Sequence, residues 1–378
     1  MPKLLRPSGF RMGLIITFIC VALLIIASSR HMLLRSTRSK FTGSESYPRY
    51  EDNTWEYHES LDVHHPNPNL RAAIVTYARN DQLHRVRPTM RNIEDSFNAQ
   101  HGYPYIIFSD EDFSDEFKEL VSSLPKNASV IFKKIPEELW GYPKWINMEK
   151  ANATRQAMKG ILYGDSEFYR LQSRFLAGTM FKDPIFQNYD YFWRFEPGSE
   201  FLCSLSYDPF EFMHKNGIKY TFSVSMYEYH DTIPTLWRTM QEFAEKNSDL
   251  VYQGEDGIRK FMLNEQGDFN LCHFWTNFLI GDLKFFRGEQ YTKYFDFLDK
   301  SGGIFYERWG DAVMTSLSAY LFLSKKEVHF WNDIGYRVSP FLHCPAADTD
   351  VYKTCACKVE DNFDFNPYSC LKKWLELK

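Results

Sequence analysis

The stretch between Ala72 and Phe132 restricts the fold more than any other, because apolar runs of strand length alternate there with segments of helical period. Ala72 to Asn80 (AAIVTYARN) reads as a buried strand, and Leu83, Val86, Met90, Ile93 and Phe97 then recur at the spacing of one helix face. Tyr105 to Asp112 (YIIFSDED) is a second strand, followed by a helix near Glu116 to Leu124 and a strand at Val130 to Phe132. Strand, helix, strand, helix, strand is the order of a parallel sheet covered by helices, and such sheets bind ligands at the carboxyl ends of their strands. Neither a GxGxxG nor a Walker A sequence occurs, which removes the main support for a dehydrogenase or a P-loop enzyme. With 378 residues, 44% hydrophobic and 25% charged, the chain suits one large α/β domain or two modest ones. A net charge of -5 argues against a nucleic-acid partner and against polybasic attachment to a membrane surface.

Chemistry concentrates further along. Phe269 to Ile280 (FNLCHFWTNFLI) places a thiol, an imidazole, an indole and an amide inside an apolar run. Taken singly, His273 reads as a hydrogen-bonded core residue and Cys272 as a buried thiol or half of a disulfide. Two further stretches, Tyr191 to Gly198 (YFWRFEPG) and Ile304 to Asp311 (IFYERWGD), set carboxylates and Arg beside rings able to stack on a sugar. Pro197 and Gly198 end an extended run just after Glu196, and a hard oxygen ligand at a strand end suits Mn²⁺ or Mg²⁺ on a diphosphate. The alternative for Glu196 is a salt bridge to Arg194. A helix is expected from Met148 to about Tyr163. In Phe168 to Gly178 (FYRLQSRFLAG), Arg170 and Arg174 lie four apart on one helix face, where they contact phosphates or face solvent.

Together CHFWTNF, WRFEPG, FYERWGD and DIGY (Asp333 to Tyr336) resemble the signatures of the fungal α-1,2-mannosyltransferases of glycosyltransferase family 15, in order and in spacing, from about Ala72 to about Cys370. The resemblance implies an α/β fold of glycosyltransferase A type, a Rossmann-like mixed sheet with helices on both faces. It implies a GDP-mannose donor, a mannose-bearing glycan acceptor on O-linked or N-linked chains, Mn²⁺ as the divalent metal, and retaining transfer. Residue by residue, Glu196 matches the family's metal-binding glutamate, Tyr169 a tyrosine near the donor, and Asp311 an aspartate that assists catalysis. Glu307 joins Asp311 and Tyr169 as a candidate catalytic residue; Tyr169, Arg170, His273, Trp275 and Arg308 are candidate donor contacts. For Asp311 and its neighbours the alternative is a buried ion-pair network that positions a loop.

Two positions depart from the family pattern. Leu279 stands where the family has a glutamate proposed as nucleophile, and Val338 where it has a second metal ligand, a histidine. Leucine can do no such chemistry and valine cannot ligate a metal; His329 and His343 lie nearby in sequence as substitutes. Two functions therefore stay open: a transferase using a front-face route, in which the leaving phosphate assists the acceptor, and a catalytically silent member that binds glycans or partners an active enzyme.

Met12 to Ser29 carries no charge and is a membrane anchor or a signal peptide, with basic residues on both sides. Helped by the resemblance, the expected organisation is a cytoplasmic tail over 1–11, a type II anchor over 12–29, a stem over 30–69 and a lumenal domain over 70–378, in the Golgi membrane or the endoplasmic reticulum. Six of the seven cysteines lie beyond the anchor, an even count that fits disulfides in an oxidising compartment, and sequons begin at Asn127 and Asn152. The region from Val328 to Pro345, with Cys355 and Cys357 after it, reads as a covalently pinned lid over the site.

Overall fold

The computed structural model describes residues 70–377. The expected tail, anchor and stem lie outside the described residues. Among the described residues no helix is long and apolar enough to cross a membrane.

The strands, in chain order, are β1 (Ala72–Tyr77), β2 (Tyr105–Ser109), β3 (Val130–Lys134), β4 (Tyr191–Phe195), β5 (Glu200–Phe201), β6 (Tyr220–Phe222), β7 (Ser225–Tyr227), β8 (Cys272–Phe274), β9 (Phe278–Asp282), β10 (Val328–Phe330), β11 (Tyr336–Val338) and β12 (Phe341–His343). Seven form the main sheet in the order β10-β6-β9-β4-β1-β2-β3. β1 runs parallel to β2 and β4, β2 to β3, and β6 to β10; β9 alone is antiparallel to its neighbours β4 and β6. The expected strand and helix alternation is therefore present, and β9 is what makes the sheet mixed. Because β9 runs backwards, the Trp275 to Asn277 turn that precedes it lies at the same edge as the carboxyl end of β4.

The main helices are α1 (Leu83–Ile93), α2 (Asp115–Ser122), α3 (Met148–Ala157), α4 (Glu167–Ala177), α5 (Pro209–Asn216), α6 (Leu236–Lys246), α7 (Glu289–Ser301) and α8 (Asp311–Phe322). Strand alternation divides them between the two sheet faces. Val75, Phe108 and Phe192 join the large core that includes Phe175 of α4, Tyr294 of α7 and Leu317 of α8. On the other face, the ring of Trp193 packs 5.4 Å from Phe97, beyond α1, and 6.3 Å from Phe210 of α5. Both faces are thus covered, and both faces of the central strands are apolar, as a buried sheet requires.

One expected element is shorter than its periodicity suggests. The helix from Met148 stops at Ala157, and the chain turns sharply so that Ile161 N bonds to the Met158 carbonyl at 2.9 Å and Gly164 N to that of Ile161 at 2.8 Å. A Cβ on Gly164 would lie 2.1 Å from the Met158 oxygen, so this fold-back requires glycine there.

The six described cysteines pair as Cys203–Cys355, Cys272–Cys370 and Cys344–Cys357. The second ties β8 to the carboxy-terminal segment, and the first ties the loop after β5 to the segment after β12. The covalent pinning expected of this region is present, as cross-linked chain beside the three-stranded sheet β12-β11-β5.

Candidate active site

Glu196 follows β4 in a turn closed by Ser199 N donating to the Glu196 carbonyl at 3.0 Å. Pro197 takes the first corner and Gly198, at φ +91°, the second, the pattern of a type II turn. Continuing the β1 to β4 register sets Glu196 beside Tyr77, with Thr76 Oγ1 donating to the Phe195 carbonyl at 2.8 Å. The carboxylate is therefore at the ligand-binding edge of the sheet. Burial pushes its pKa up, against the pull of Arg194 and the exposed Arg85.

Arg194 is buried and organises the centre. Its guanidinium makes a short hydrogen bond to Asp311 Oδ2 and approaches Glu196 Oε2 at 3.8 Å. Thr276 Oγ1 donates to the same Asp311 oxygen at 2.6 Å. Asp311 is the first residue of α8, where the helix dipole favours a carboxylate. Asp311 and Glu196 are thus members of an ion-pair network, the structural alternative read from the sequence, and that network lies at the carboxyl edge of the sheet. Arg194 and Thr276 complete it, and the sequence motifs alone assign them no catalytic or binding role.

Leu279 is the cross-strand partner of Arg194 in the β4–β9 ladder, so both side chains share one face, about 5 Å apart at Cβ by the usual ladder geometry. The leucine is buried in the large core. A carboxylate at this position would thus face a cation.

A second group lies beside the first. Arg308 is buried; its Nη2 donates to Glu228 Oε1 at 3.1 Å, and its guanidinium carbon lies 4.9 Å from the centroid of the Tyr169 ring. Burial raises the Tyr169 pKa to about 12, with Arg308 opposing. The Tyr169 hydroxyl oxygen is 2.6 Å from where a Cβ on Gly310 would stand, so this tyrosine packs directly on the residue before Asp311. His273 is buried on β8, and burial lowers its pKa against the charges of Glu228 and Asp311. The Leu271 carbonyl favours its protonated form without meeting the geometry of a hydrogen bond to Nδ1. Arg308 Nε and His273 Nδ1 have no hydrogen-bond partner within the protein. Glu228 could be found from sequence only as one more acidic residue between two tyrosines; its partner is eighty positions away.

Other candidates hold structure. Arg170 is fully buried and donates to the carbonyls of Glu307 at 3.0 Å and Ser166 at 2.9 Å, which clamps α4 to the loop before α8. Burial lowers its pKa to about 10. Arg174 forms a bidentate pair with Asp299 at 2.8 and 2.9 Å. These two arginines face neither solvent nor the Arg194 centre. The Glu307 carboxylate accepts from Thr235 Oγ1 at 2.7 Å and from Trp309 Nε1 at 2.5 Å, bracing the start of α6. Trp275 packs edge-on against Phe341 with centroids 5.0 Å apart, linking the central motif to β12.

Neither nearby histidine replaces a ligand at position 338. His343 Nδ1 lies 2.8 Å from Asp364 Oδ2 and Nε2 3.2 Å from the Asn332 carbonyl, so both nitrogens are committed. Burial opposes its charge, but Asp364 prevails and its pKa rises. His329 belongs to β10, three strands from β4 or about 14 Å at normal spacing. It packs between Phe212 and Trp331, where burial lowers its pKa to about 3. Val338 follows Arg337, which pairs with Glu200; one further step along that ladder puts Val338 opposite Ser199, in the turn that carries Glu196. Among the described residues, the one group of three potential ligands close enough to share an ion is Cys203, Cys355 and Cys357, and disulfides occupy all three. Glu196 fits a hard divalent ion that brings most of its oxygen ligands with a diphosphate and water.

A mixed sheet with no glycine-rich phosphate loop, and with carboxylates at its carboxyl edge, is compatible with a glycosyltransferase of A type. The chain belongs to the family described as glycolipid 2-alpha-mannosyltransferase, whose profile matches residues 35–378. It is 43% identical over 311 residues to glycolipid 2-alpha-mannosyltransferase 2 of Candida albicans, covering 81% of this chain and 67% of that protein. It is 41% identical over 315 residues to alpha-1,2 mannosyltransferase KTR1 of Saccharomyces cerevisiae, covering 82% and 79%. The crystal structure of core-mannan synthase A (CmsA/Ktr4) from Aspergillus fumigatus, in its Mn/GDP form, matches with a TM-score of 0.74 at 32% identity, over 82% of this chain and 86% of that one. The motif resemblance and the glycosyltransferase class are thereby established.

Proposed function

We propose that the protein is a retaining α-1,2-mannosyltransferase that moves mannose from GDP-mannose to a mannose-bearing glycan of a glycoprotein. The observation that carries this reading is the Arg194, Asp311 and Thr276 cluster standing beside Glu196 at the carboxyl edge of β4. Related proteins named as α-1,2-mannosyltransferases, and a neighbour solved with Mn and GDP, support the donor and the metal. Glu196 would hold the divalent ion, which on binding neutralises charge developing on the departing diphosphate. Tyr77, whose ring stacks on Trp140 at 5.0 Å, and Arg79, paired with Asp110 at 3.3 Å, lie at the ends of β1 and β2, where the nucleoside belongs. Tyr169, His273 and Arg308 line the mannose side.

With Leu279 apolar, the front-face route suits the site. The bond from mannose C1 to the phosphate oxygen breaks, the acceptor hydroxyl oxygen bonds to C1 on the same face, and its proton passes to the leaving phosphate. Arg194, Asp311 and Thr276 keep a fixed field around that exchange, and preorganised charge of this kind is commonly the largest catalytic contribution. The anchor at Met12 to Ser29 and residence in the Golgi membrane belong to the same proposal. Leu279 and Val338 favour one alternative, a silent member that binds glycans without transfer.

The test is an assay of the full chain with GDP-mannose, Mn²⁺ and methyl α-mannoside, following GDP release and the linkage of the product. Formation of an α-1,2 product is the expected result. Binding of GDP and mannoside without product supports the silent member, and failure to bind GDP-mannose at all refutes the transferase reading.

A further inference from the structure

Tyr163 is an aromatic residue that the core does not explain. It is 54% exposed, next to Leu162 at 59%. Its φ is +57°, the left-handed region, which disfavours bulky side chains and persists only where the surroundings hold it. Those surroundings are the fold-back after α3: besides the bonds already described, Ser166 N donates to the Tyr163 carbonyl at 3.2 Å. The strained backbone delivers the ring onto Tyr169, parallel within 7° and with centroids 5.1 Å apart. Tyr169 in turn touches Gly310, the neighbour of Asp311. Contact thus runs from solvent, through the stacked rings of Tyr163 and Tyr169, to Gly310, the residue before Asp311.

We propose that Tyr163 is an acceptor subsite, a platform on which a pyranose ring of the mannose-bearing acceptor stacks at the entrance to the Asp311 centre. The identity of the sugar rests on the functional reading above; the platform itself rests on the geometry. A pyranose presents an apolar C–H face to an aromatic ring while its hydroxyls stay in water, and a half-exposed, pre-positioned ring matches that division. Leu162, which precedes it, is apolar and exposed, and the flanking charges of Lys159 and Asp165 are of opposite sign, so this rim suits a neutral sugar rather than a diphosphate. The nucleotide has its own edge, at the ends of β1 and β2.

The experiment measures binding, so that it does not depend on turnover. Methyl α-mannoside and α-1,2-linked mannobiose are titrated onto the full chain with GDP and Mn²⁺, followed by saturation-transfer NMR and calorimetry. Tyr163→Phe keeps the ring and is expected to bind as wild type. Asparagine accepts the left-handed backbone but has no ring, so Tyr163→Asn isolates the platform. It should weaken mannobiose by about fivefold or more, the scale of one lost aromatic contact, and leave GDP affinity unchanged. Equal mannobiose affinity in Tyr163→Asn and wild type overturns the proposal, as does a parallel loss of GDP affinity, which would mark a structural role. A wild type that binds no mannoside also overturns it. Mannoside binding that depends on Tyr163, in a protein that binds no GDP-mannose, keeps the platform and refutes the transferase reading.

Discussion

Around Arg194 each charged group is answered by another, whereas around Arg308 two buried nitrogens have no partner in the protein. Arg194 bonds to Asp311 and faces Glu196, and Thr276 completes Asp311. Arg308 has one bond to Glu228 and leaves Nε unpaired, and His273 leaves Nδ1 unpaired beside it. A buried polar group left unsatisfied costs about 1–3 kcal/mol. The first half of the site is therefore an ion-pair network that fixes charge. The second keeps two nitrogens free for water or a polar ligand.

The sharpest way to break this contrast is to cut the scaffold. Arg194→Ala would leave a cavity and a half-buried Asp311 held only by Thr276, and is expected to destabilise the fold by about 3 kcal/mol, read as a lower urea midpoint. Arg308→Ala strands Glu228 in turn, but the cation it removes already has an unpaired Nε; it should lose less stability and weaken donor binding. If Arg308→Ala unfolds the protein as readily as Arg194→Ala, the distinction between the halves fails.

Glu196 ranks next. Glu196→Ala should lower GDP affinity in Mn²⁺ by roughly a hundredfold and leave metal-free affinity almost unchanged, by calorimetry. An equal loss with and without metal would move the metal elsewhere.

The two departures sharpen the comparison further. Leu279→Glu places a carboxylate opposite Arg194, so its burial is offset by a cation rather than unopposed. Combined with Val338→His it should raise initial mannosyl transfer by about tenfold, with the pair exceeding the product of the single changes. Folded variants that gain nothing over a competent wild type would favour the front-face route.

The smallest effects are those of pH. The folded pKa of Glu196 is raised, so its ionised form is disfavoured by burial; that penalty is present above its folded pKa and is relieved as pH falls through it. Metal must displace the proton, so Mn²⁺-dependent GDP binding should weaken on acidification at a higher pH than for an ordinary glutamate. His343 has the opposite sign of charge and a raised pKa. Its stabilising pair with Asp364 is fully present below the unfolded value of about 6.5 and is lost as pH rises through the folded value. Thermal scans should show Asp364→Asn removing that dependence, and an unchanged profile would rule the pair out as its source.

Much of the fold was legible in the sequence because it depends on local period. The runs at Ala72, Tyr105 and Val130 are strands, and the residues recurring from Leu83 to Ile93 line one buried helix face. The end of β4 was legible because Pro197 and Gly198 carry their backbone preferences with them. The helix from Met148 ended early for the same reason read too coarsely: apolar content continued, but the turn at Gly160 and Gly164 outweighed it.

The sequence by itself determined the alternation of elements, the strand-end carboxylate and the motifs that mark the family. It also determined that Leu279 and Val338 carry no acid or metal-binding group. Only the tertiary structure decided which similar residues gather at the carboxyl edge of the sheet. Arg170, Arg174, Arg194 and Arg308 are all buried, yet two clamp helices and two meet the carboxylates. Glu307 braces a helix while Glu228, unremarkable in sequence, pairs with Arg308. The physical reason is that a side chain's chemistry is local, whereas its partner is set by ladder register and by burial. Both depend on contacts between residues far apart in the chain.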